Sequence, residues 1–417
     1  MAILALTALN ARSQIAGYSK DLRRRAVLHD VWTNKKGLYN NDAPGPMPNE
    51  VYVEVESSVI QSSNSVTLTM KLPLSGPPVL GNATYFNTEE QPQTKAATMY
   101  RNNWGKTVRT EKFGTRFVDQ EPYKLYKMHI ADLGVWAWQF EGLEIRINLC
   151  ENWSSNLWVG DTAATCVPNM NPHVHIVGLS IAQQPAYSLN PGVYMNNVVA
   201  GIFTAGGGSL APTQNETASA RLIEQIVMRA LRLRLWPLTI GGRDAFQFVV
   251  SDLFAAMYTD PTWGNDSGAR RWISINTGLA KEVQNWYGVI GLYRSSIGVD
   301  VIFCVDQKHP TFLPAGTGAP FSGQFLYIQP GDVDQRQLDN PNTRDVNILV
   351  GRGAFGINEP EKLHFIEQDD NYHKIYGDGI AGVRGHQTVR FNNDTPITGA
   401  EEYYGSMLVM SARPAYV

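Results

Sequence analysis

The chain has 417 residues, enough for two or three cores of ordinary domain size. It is 43% hydrophobic and 18% charged with a formal net charge of −3, which argues against nucleic-acid binding through the overall field and leaves local basic patches open. Three widely spaced cysteines (Cys150, Cys166, Cys304) argue against a disulfide framework or a zinc ribbon, and no apolar run reaches the ~18 residues of a membrane-crossing helix. The opening MAILALTAL lacks the basic flank of a secretory signal, so a protein made and kept in a cytoplasm is expected.

Residues 1–50 read as an N-terminal arm. Ile15, Leu22, Ala26 and Val27 fall near one face of a partial helix, Lys20, Arg23, Arg24 and Arg25 lie opposite, and Gly37 is the stop. DAPGPMPN (42–49) is an extended linker, because proline fixes φ and lacks a donor. VYVEVESSVI (51–60) and SVTLTMKL (65–72) each alternate like a half-buried strand. From 75 to 116 the pattern dissolves into turn chemistry between short β-prone runs, read here as an extended two-stranded ribbon. An isolated ribbon is marginal in water, so this one should lie on a neighbouring subunit.

Residues 117–150 read as one long helix. Asp119 can cap it, Glu121 suits its first turn and Pro122 is tolerated there. Leu133, Trp136, Phe140, Leu143, Ile147 and Cys150 then recur at helical steps and make an apolar stripe on an amphipathic helix roughly 48 Å long. If that stripe is buried, Trp136→Ala or Phe140→Ala costs ~3–5 kcal/mol. Residues 151–212 are rich in Gly, Asn and Pro, with short strands such as HVHIVGLSI. A second helix is expected at about 216–235, with Thr213 and Glu216 as a capping box and Pro237 past its end. Its apolar face is Leu222, Ile223, Ile226, Val227 and Leu231, with Arg221, Arg229 and Arg232 on the other side. A strand at 245–251, a helical patch at about 265–285 and the β-prone runs GVIGLYRS, VDVIFCV, QFLYIQ, VNILVG and LHFIEQ complete an α+β chain.

Four features could carry chemistry. GRGAFG (351–356) matches G-x-G-x-x-G, but a dinucleotide site needs a helix directly after it, and Ile357-Asn358-Glu359-Pro360 does not start one; a turn where backbones pack closely is the better reading. His173 and His175 share a strand face without an obvious third metal ligand. Glu367, Asp369, Asp370 and His373 form an acidic patch read as a solvated loop. The run Arg23–Arg25 and the arginines of the second helix read as solvated faces or ion pairs between subunits, or as a surface facing DNA through salt-sensitive phosphate contacts. No catalytic, cofactor or metal residues are assigned.

The order arm, extended loop, long helix and mixed α/β body resembles the tailed-phage major capsid proteins of the Hong Kong 97-like fold, in the N-four-like branch. SVTLTMKLPLSGPPVLGN, EEQPQTKAATMYRNNWGKTVRTEKFG, RLRLWPLTIGGRDAFQFVVSDL, ILVGRGAFG and NYHKIYGDGIAGVRGHQTVRF carry the resemblance. It implies a non-enzymatic subunit that forms hexamers and pentamers of an icosahedral shell around double-stranded DNA, assembled in a host bacterial cytoplasm. It implies an arm (1–50), peripheral-domain strands (51–74), an extended loop (75–116), a spine helix (117–150), a mostly axial region (151–375) and a C-terminal return (376–417). Candidates for contact between subunits are then Arg23, Arg24, Arg25, Glu89, Glu90, Lys95, Arg101, Lys106, Arg109 and Lys112, with Leu133, Trp136, Phe140, Leu143 and Ile147 packing the spine. The implied partners are further copies of the chain, a separate scaffolding protein, a portal, a decoration protein and packaged DNA held non-specifically, with no membrane. Covalent Lys–Asn crosslinks, known in some members, are not expected at Lys95, Lys106, Asn102 or Asn103. Two rival readings stand beside this one: a soluble hydrolase with paired carboxylates, and another virion subunit of tail or decoration type.

Overall fold

The computed structural model describes residues 31–32, 36–40, 48–56, 65–71, 94–111, 122–151, 174–176, 220–233, 235–259, 272–274, 286–313, 324–328, 344–370, 375–388, 390–392, 401–403 and 405–412. Two sheets share one helix. The first sheet has the spatial order β1 (Lys36–Asn40), β2 (Tyr52–Glu56), β15 (Phe355–Asp370), β16 (Ile375–Thr388), β5 (Asn102–Glu111). β1, β2 and β15 run parallel, and β15–β16 and β16–β5 are antiparallel. From this body springs a separate antiparallel ribbon, β3 (Ser65–Lys71) with β4 (Thr94–Tyr100), in which Ser65 faces Tyr100 and Lys71 faces Thr94.

The second sheet runs β13 (Gln324–Leu326), β12 (Thr311–Leu313), β14 (Arg344–Val350), β8 (Arg243–Val250), β11 (Asp300–Val305), β10 (Val289–Arg294), β9 (Trp272–Ser274). β19 (Ser406–Ala412) pairs with β14 and carries β6 (Val174–Ile176), while β7 (Leu238–Ile240) pairs with β8. A short pair, β17 (Arg390–Asn392) and β18 (Glu401–Tyr403), forms its own sheet, and β17 touches β4 of the ribbon.

The period-two alternation of the strands explains why this sheet is covered on both faces. Phe246, Phe248, Val250, Val301, Phe303, Leu349, Met407 and Val409 point one way, into a core shared with Leu222, Ile223, Ile226, Val227 and Ala230 of α2 (Ala220–Arg232). Ala245, Val249, Ile302, Cys304, Val346, Ile348, Leu408 and Met410 point the other way, against Ile145, Leu149 and Cys150 of α1 (Pro122–Glu151). At 30 residues α1 is about 45 Å long. Its N-terminal half crosses the first sheet, where Leu133 and Ala137 pack on Phe365 and Ile380. Val31 and Trp32 are buried in the core beneath α1, so the end of the arm is tied to the body.

Several expectations need correction. Every position from 141 to 150 of α1 is buried, so this half of the helix is enclosed all round and is not amphipathic. α3 (Asp252–Thr259), capped by Ser251 Oγ accepting from the Phe254 amide at 3.0 Å, was not anticipated. Residues 272–274 of the expected 265–285 helix are strand, held by β10, and the rest of that patch lies outside the described residues. Gly37 sits inside β1 instead of ending a helix. Glu367, Asp369 and Asp370 stand on a β-ladder with β16, not on a loop. The proposed caps Asp119, Thr213 and Glu216, together with His173 and His373, lie outside the described residues.

The GRGAFG run is the crossing between the sheets, and a strand follows it where a dinucleotide site needs a helix. Its amides dock on three separate stretches of chain. Gly351 donates to Gly405 O at 2.6 Å, Arg352 to Trp236 O at 2.8 Å and Gly353 to Glu50 O at 2.8 Å. A Cβ on Gly351 would collide with the Trp236 carbonyl. Gly405 has φ +104°, and a Cβ there would stand 2.8 Å from Ala354 Cα. Gly405→Ala therefore meets both backbone strain and a clash with backbone. We expect it to lower the unfolding free energy by about 1–3 kcal/mol in urea titration; an unchanged midpoint would show that the crossing has slack.

Candidate functional site

The structural feature that organises the molecule is a row of buried ionic contacts made by α1. Burying a charge costs several kcal/mol unless it is paired, so each such residue must find a specific partner. On the side facing the first sheet, Glu144 Oε2 meets both the Arg384 guanidinium and His386 Nδ1, the latter at 3.0 Å. Arg384 also lies 3.9 Å from Glu141 Oε2, and Glu141 Oε1 accepts from the Tyr52 hydroxyl at 3.0 Å. The Arg384 guanidinium stacks 3.5 Å from the Trp104 ring centroid. On the side facing the second sheet, Arg146 binds Asp306 through two bonds, Nε–Oδ2 at 2.7 Å and Nη2–Oδ1 at 2.8 Å. Asp306 further accepts from Trp32 Nε1 and from the Lys308 amide.

These contacts shift the carboxyls. Burial alone would push Glu144 up, but Arg384 and His386 outweigh it and hold it below the usual carboxylate range. Burial likewise opposes ionisation of Asp306, and Arg146 overcomes it, so Asp306 is also held low. Burial and then Glu141 raise the Tyr52 hydroxyl well above its ordinary value, so it stays a donor. Further contacts extend the row along β16. His129 Nδ1 lies 2.8 Å from Asp378 Oδ2, and Thr388 Oγ1 donates to Asn148 O at 2.8 Å. Residues 129–148 rise about 28 Å in a helix, and 378–388 span about 33 Å in a strand. Helix and strand thus run parallel and stay in step.

The structure brings some of the candidate residues together. Leu133, Leu143 and Ile147 are buried, whereas Trp136 and Phe140 are half-buried and stack with Trp104, the Trp136–Phe140 centroids being 4.9 Å apart. Lys106, exposed on β5, places its ammonium 5.7 Å from the Trp136 ring. Arg101 is not at the surface: it is buried and donates from Nε to Asn358 Oδ1 at 2.7 Å within the same chain. Lys95 lies on β4 opposite Met70, and Arg109 on β5 opposite Gly377. Arg23, Arg24, Arg25, Glu89, Glu90 and Lys112 lie outside the described residues. The residues that sequence reasoning missed are Glu141, Glu144, Arg146, Asp306, Arg384 and His386. The only trace they left is charge at helix positions flanking the apolar stripe, which normally means solvent.

The paired carboxylates do not serve hydrolysis. Glu141 and Glu144 are enclosed and bound to Arg384, and Glu144 is held low where a general acid needs to be raised. Ser251, Asp345 and His309 gather under α3, but Ser251 Oγ donates to Asp345 at 2.6 Å, Asp345 stands between serine and histidine, and Ser251 and Asp345 are fully buried. A nucleophile needs the histidine beside it and an approach for substrate. In a cleft lined by Trp32, Glu50, Tyr52, Leu238, Gln247 and Trp286, Glu50 is the one carboxylate among the described residues. His175 is on β6, and the described residues contain no cluster of three or more metal-ligating side chains.

No family model matches the sequence, and no curated protein matches it. Solved structures do. A chain of the capsid of Ralstonia phage GP4 aligns with TM-score 0.58 and 13% identity, covering 93% of this chain and 92% of that one. A chain of the cyanophage Pam1 capsid asymmetric unit aligns with TM-score 0.53 and 13% identity, covering 91% of this chain and 92% of that one. At this identity the likeness is one of fold. The chain has the α+β fold of these capsid chains, the Hong Kong 97-like fold.

Two outcomes follow from the ionic row. Arg384→Leu leaves buried Glu141 without a cation and Glu144 with His386 alone, and should cost about 3–5 kcal/mol in urea unfolding, whereas Trp136→Ala, at a half-buried site, should cost less than the ~3–5 kcal/mol of a fully enclosed aromatic; the reverse order would refute the ranking. For pH the sign is set by carboxyls that are lower in the folded than in the unfolded chain. Their stabilisation is complete above the ordinary glutamate value of 4.5 and is lost as pH falls through the folded values. Thermal melting should thus fall steeply on acidification below about that pH, and Glu144→Gln should flatten the fall.

Proposed function

We propose that this chain is a major capsid protein, which self-assembles as hexamers and pentamers into an icosahedral shell enclosing double-stranded DNA. The observation that carries this is the match of fold over nine-tenths of the chain to two phage capsid chains. The physical layout supports it. The β3–β4 ribbon lies outside the two sheets: Val66, Leu68 and Met99 bury one of its faces within the chain, and Thr67 and Tyr100 leave the other face open to a neighbour. Contacts of modest strength, repeated around a closed ring and shell, add up through multivalency. The buried carboxylates are consumed in ion pairs, which fits a structural subunit without turnover. The arm's Arg23, Arg24 and Arg25 would contact packaged DNA non-specifically, and a scaffolding protein, a portal and a decoration protein are the further partners this reading calls for, with assembly in the host cytoplasm.

Sedimentation and negative-stain electron microscopy of the purified protein, alone and with scaffolding protein, test the reading. Closed shells or capsomer-sized rings are expected; a monomer or dimer under all conditions would overturn it. Removing the loop tests the ribbon separately. Deleting 80–110 would cut away β5, an edge strand of the body, and confuse assembly with folding. Replacing 72–93 by an Asn-Gly turn is cleaner, because Lys71 and Thr94 are already register partners and a two-residue turn closes them. We expect this variant to melt like the parent and to lose closed particles; normal particles would exclude a role for the loop.

A further inference from the structure

On its β4 side the ribbon joins the body through one residue, and β4 also touches β16 and β17. β4 ends at Tyr100, β5 begins at Asn102, and Arg101 is the corner between them. A single residue with two soft dihedrals is a poor lever for aiming a ribbon of seven residues per strand, unless something else fixes the angle. Three contacts converge there. Arg101, buried, donates from Nε to Asn358 Oδ1 at 2.7 Å. Asn358 in turn donates from Nδ2 to Val55 O at 2.7 Å, which ties the corner to β2. Opposite Asn358 in the ladder stands Gly385, on which a Cβ would come within 2.5 Å of Tyr100 O and 3.5 Å of Arg101 Cα. The corner therefore rests on bare backbone.

The neighbour of Gly385 is Arg384, the residue that holds Glu141 and Glu144 of α1, and it pairs with Asn102 across the ladder. An unbroken chain of buried contacts thus runs from the ribbon corner to α1. β15 is irregular just beyond Asn358, between Asn358 and Glu361, so this is also where the sheet departs from a regular ladder. Burial in an apolar setting opposes the charge of Arg101 and draws its pKa down. A buried guanidinium is an expensive way to fill space, and Asn358, itself buried, gives it a directional acceptor.

We propose that Arg101, seated on Asn358 and Gly385, is a positioning residue that sets the direction in which the β3–β4 ribbon leaves the body, and through it the angle between neighbouring copies in an assembly. The geometry stands by itself; the consequence for assembly rests on the shell reading above. In a closed shell a small change in angle between neighbours, repeated many times, changes the diameter or prevents closure.

The test reads the ribbon and the particle separately. Nitroxide labels at Thr67→Cys on β3 and Asp132→Cys on α1, both exposed positions, report the distance between ribbon and body by pulsed electron resonance. Cys150 and Cys304 are buried and would stay unlabelled, and Cys166→Ser removes the third thiol. The parent should give one narrow distance distribution. Arg101→Gln should at least double its width and reduce particles of parent diameter at least tenfold. Ser295→Ala removes the hydrogen bond from buried Ser295 to Glu224, at the second sheet and away from the corner, so it should retain the narrow distribution and the parent diameter. Gly385→Ala leaves Arg101 intact but pushes the corner away, and should shift the mean distance; it carries the test if Arg101→Gln does not fold. Unchanged width in Arg101→Gln, or an unchanged mean in Gly385→Ala, would overturn the proposal. Broadening in Ser295→Ala equal to that in Arg101→Gln would also do so, because general loosening would then explain both. If the parent itself forms no shells, the shell reading fails while the label distances still decide the role of Arg101.

Discussion

Three charges within six residues of one helix decide how this molecule is put together. Glu141, Glu144 and Arg146 are all buried, and none can remain ionised there without its partner. Glu141 and Glu144 reach Arg384 on the first sheet, and Arg146 reaches Asp306 at the end of β11 on the second. An apolar seam between a helix and two sheets would tolerate sliding by a residue or a turn, since one aliphatic side chain replaces another at modest cost. A paired carboxylate does not tolerate it. The ion pairs thus fix register, while the hydrophobic cores on either side supply most of the favourable free energy.

The second sheet shows the same division of labour. Its strands alternate apolar residues to both faces, which buries them against α1 on one side and α2 on the other. Polar residues inside it are satisfied in place. Asn347 accepts from the Ser251 amide and donates to Val409 O and Ser411 Oγ, linking β14, β19 and the start of α3. Such a network costs little when complete and specifies one arrangement of strands. The last described strand, β19, lies in the middle of this sheet beside β14, so the C-terminal part of the chain closes the core instead of hanging from it.

How much of this the sequence could reveal depends on whether a residue's burial shows in its own neighbourhood. The long helix was legible because Leu133, Leu143 and Ile147 recur at helical steps, and the strands β10, β11, β13, β14 and β15 because their apolar runs are short and β-branched. The ribbon was misplaced: turn chemistry put it within 75–116, whereas 65–71 pairs with 94–100 and 102–111 joins the first sheet beside β16. The ionic row was not, since Glu141, Glu144 and Arg146 follow the pattern of a solvated face and their partners lie 160 to 240 residues away. α3 was hidden because its apolar residues resume those of β8 after only two polar positions, Ser251, which caps the helix, and Asp252. β16 was hidden for the opposite reason. Gly377, Gly379, Gly382 and Gly385 look like loop chemistry, yet several are needed because backbone and large side chains of β5 and the corner press against them.

Those glycines join the fold to its use. A strand of ordinary side chains at β16 would hold α1 well but would leave no room for Trp104 at Gly382 or for the Tyr100 carbonyl at Gly385. By giving up side chains on the face toward β5 and the corner, β16 brings α1 and the ribbon to the same few residues, Arg384 and Gly385. The helix that both sheets share and the ribbon therefore meet there. In the assembly proposed above, this is where a fixed ribbon angle matters most. A body that holds its ribbon at one angle does not have to order it again each time a neighbour binds, and the conformational entropy that assembly would otherwise lose at every contact has already been spent in folding.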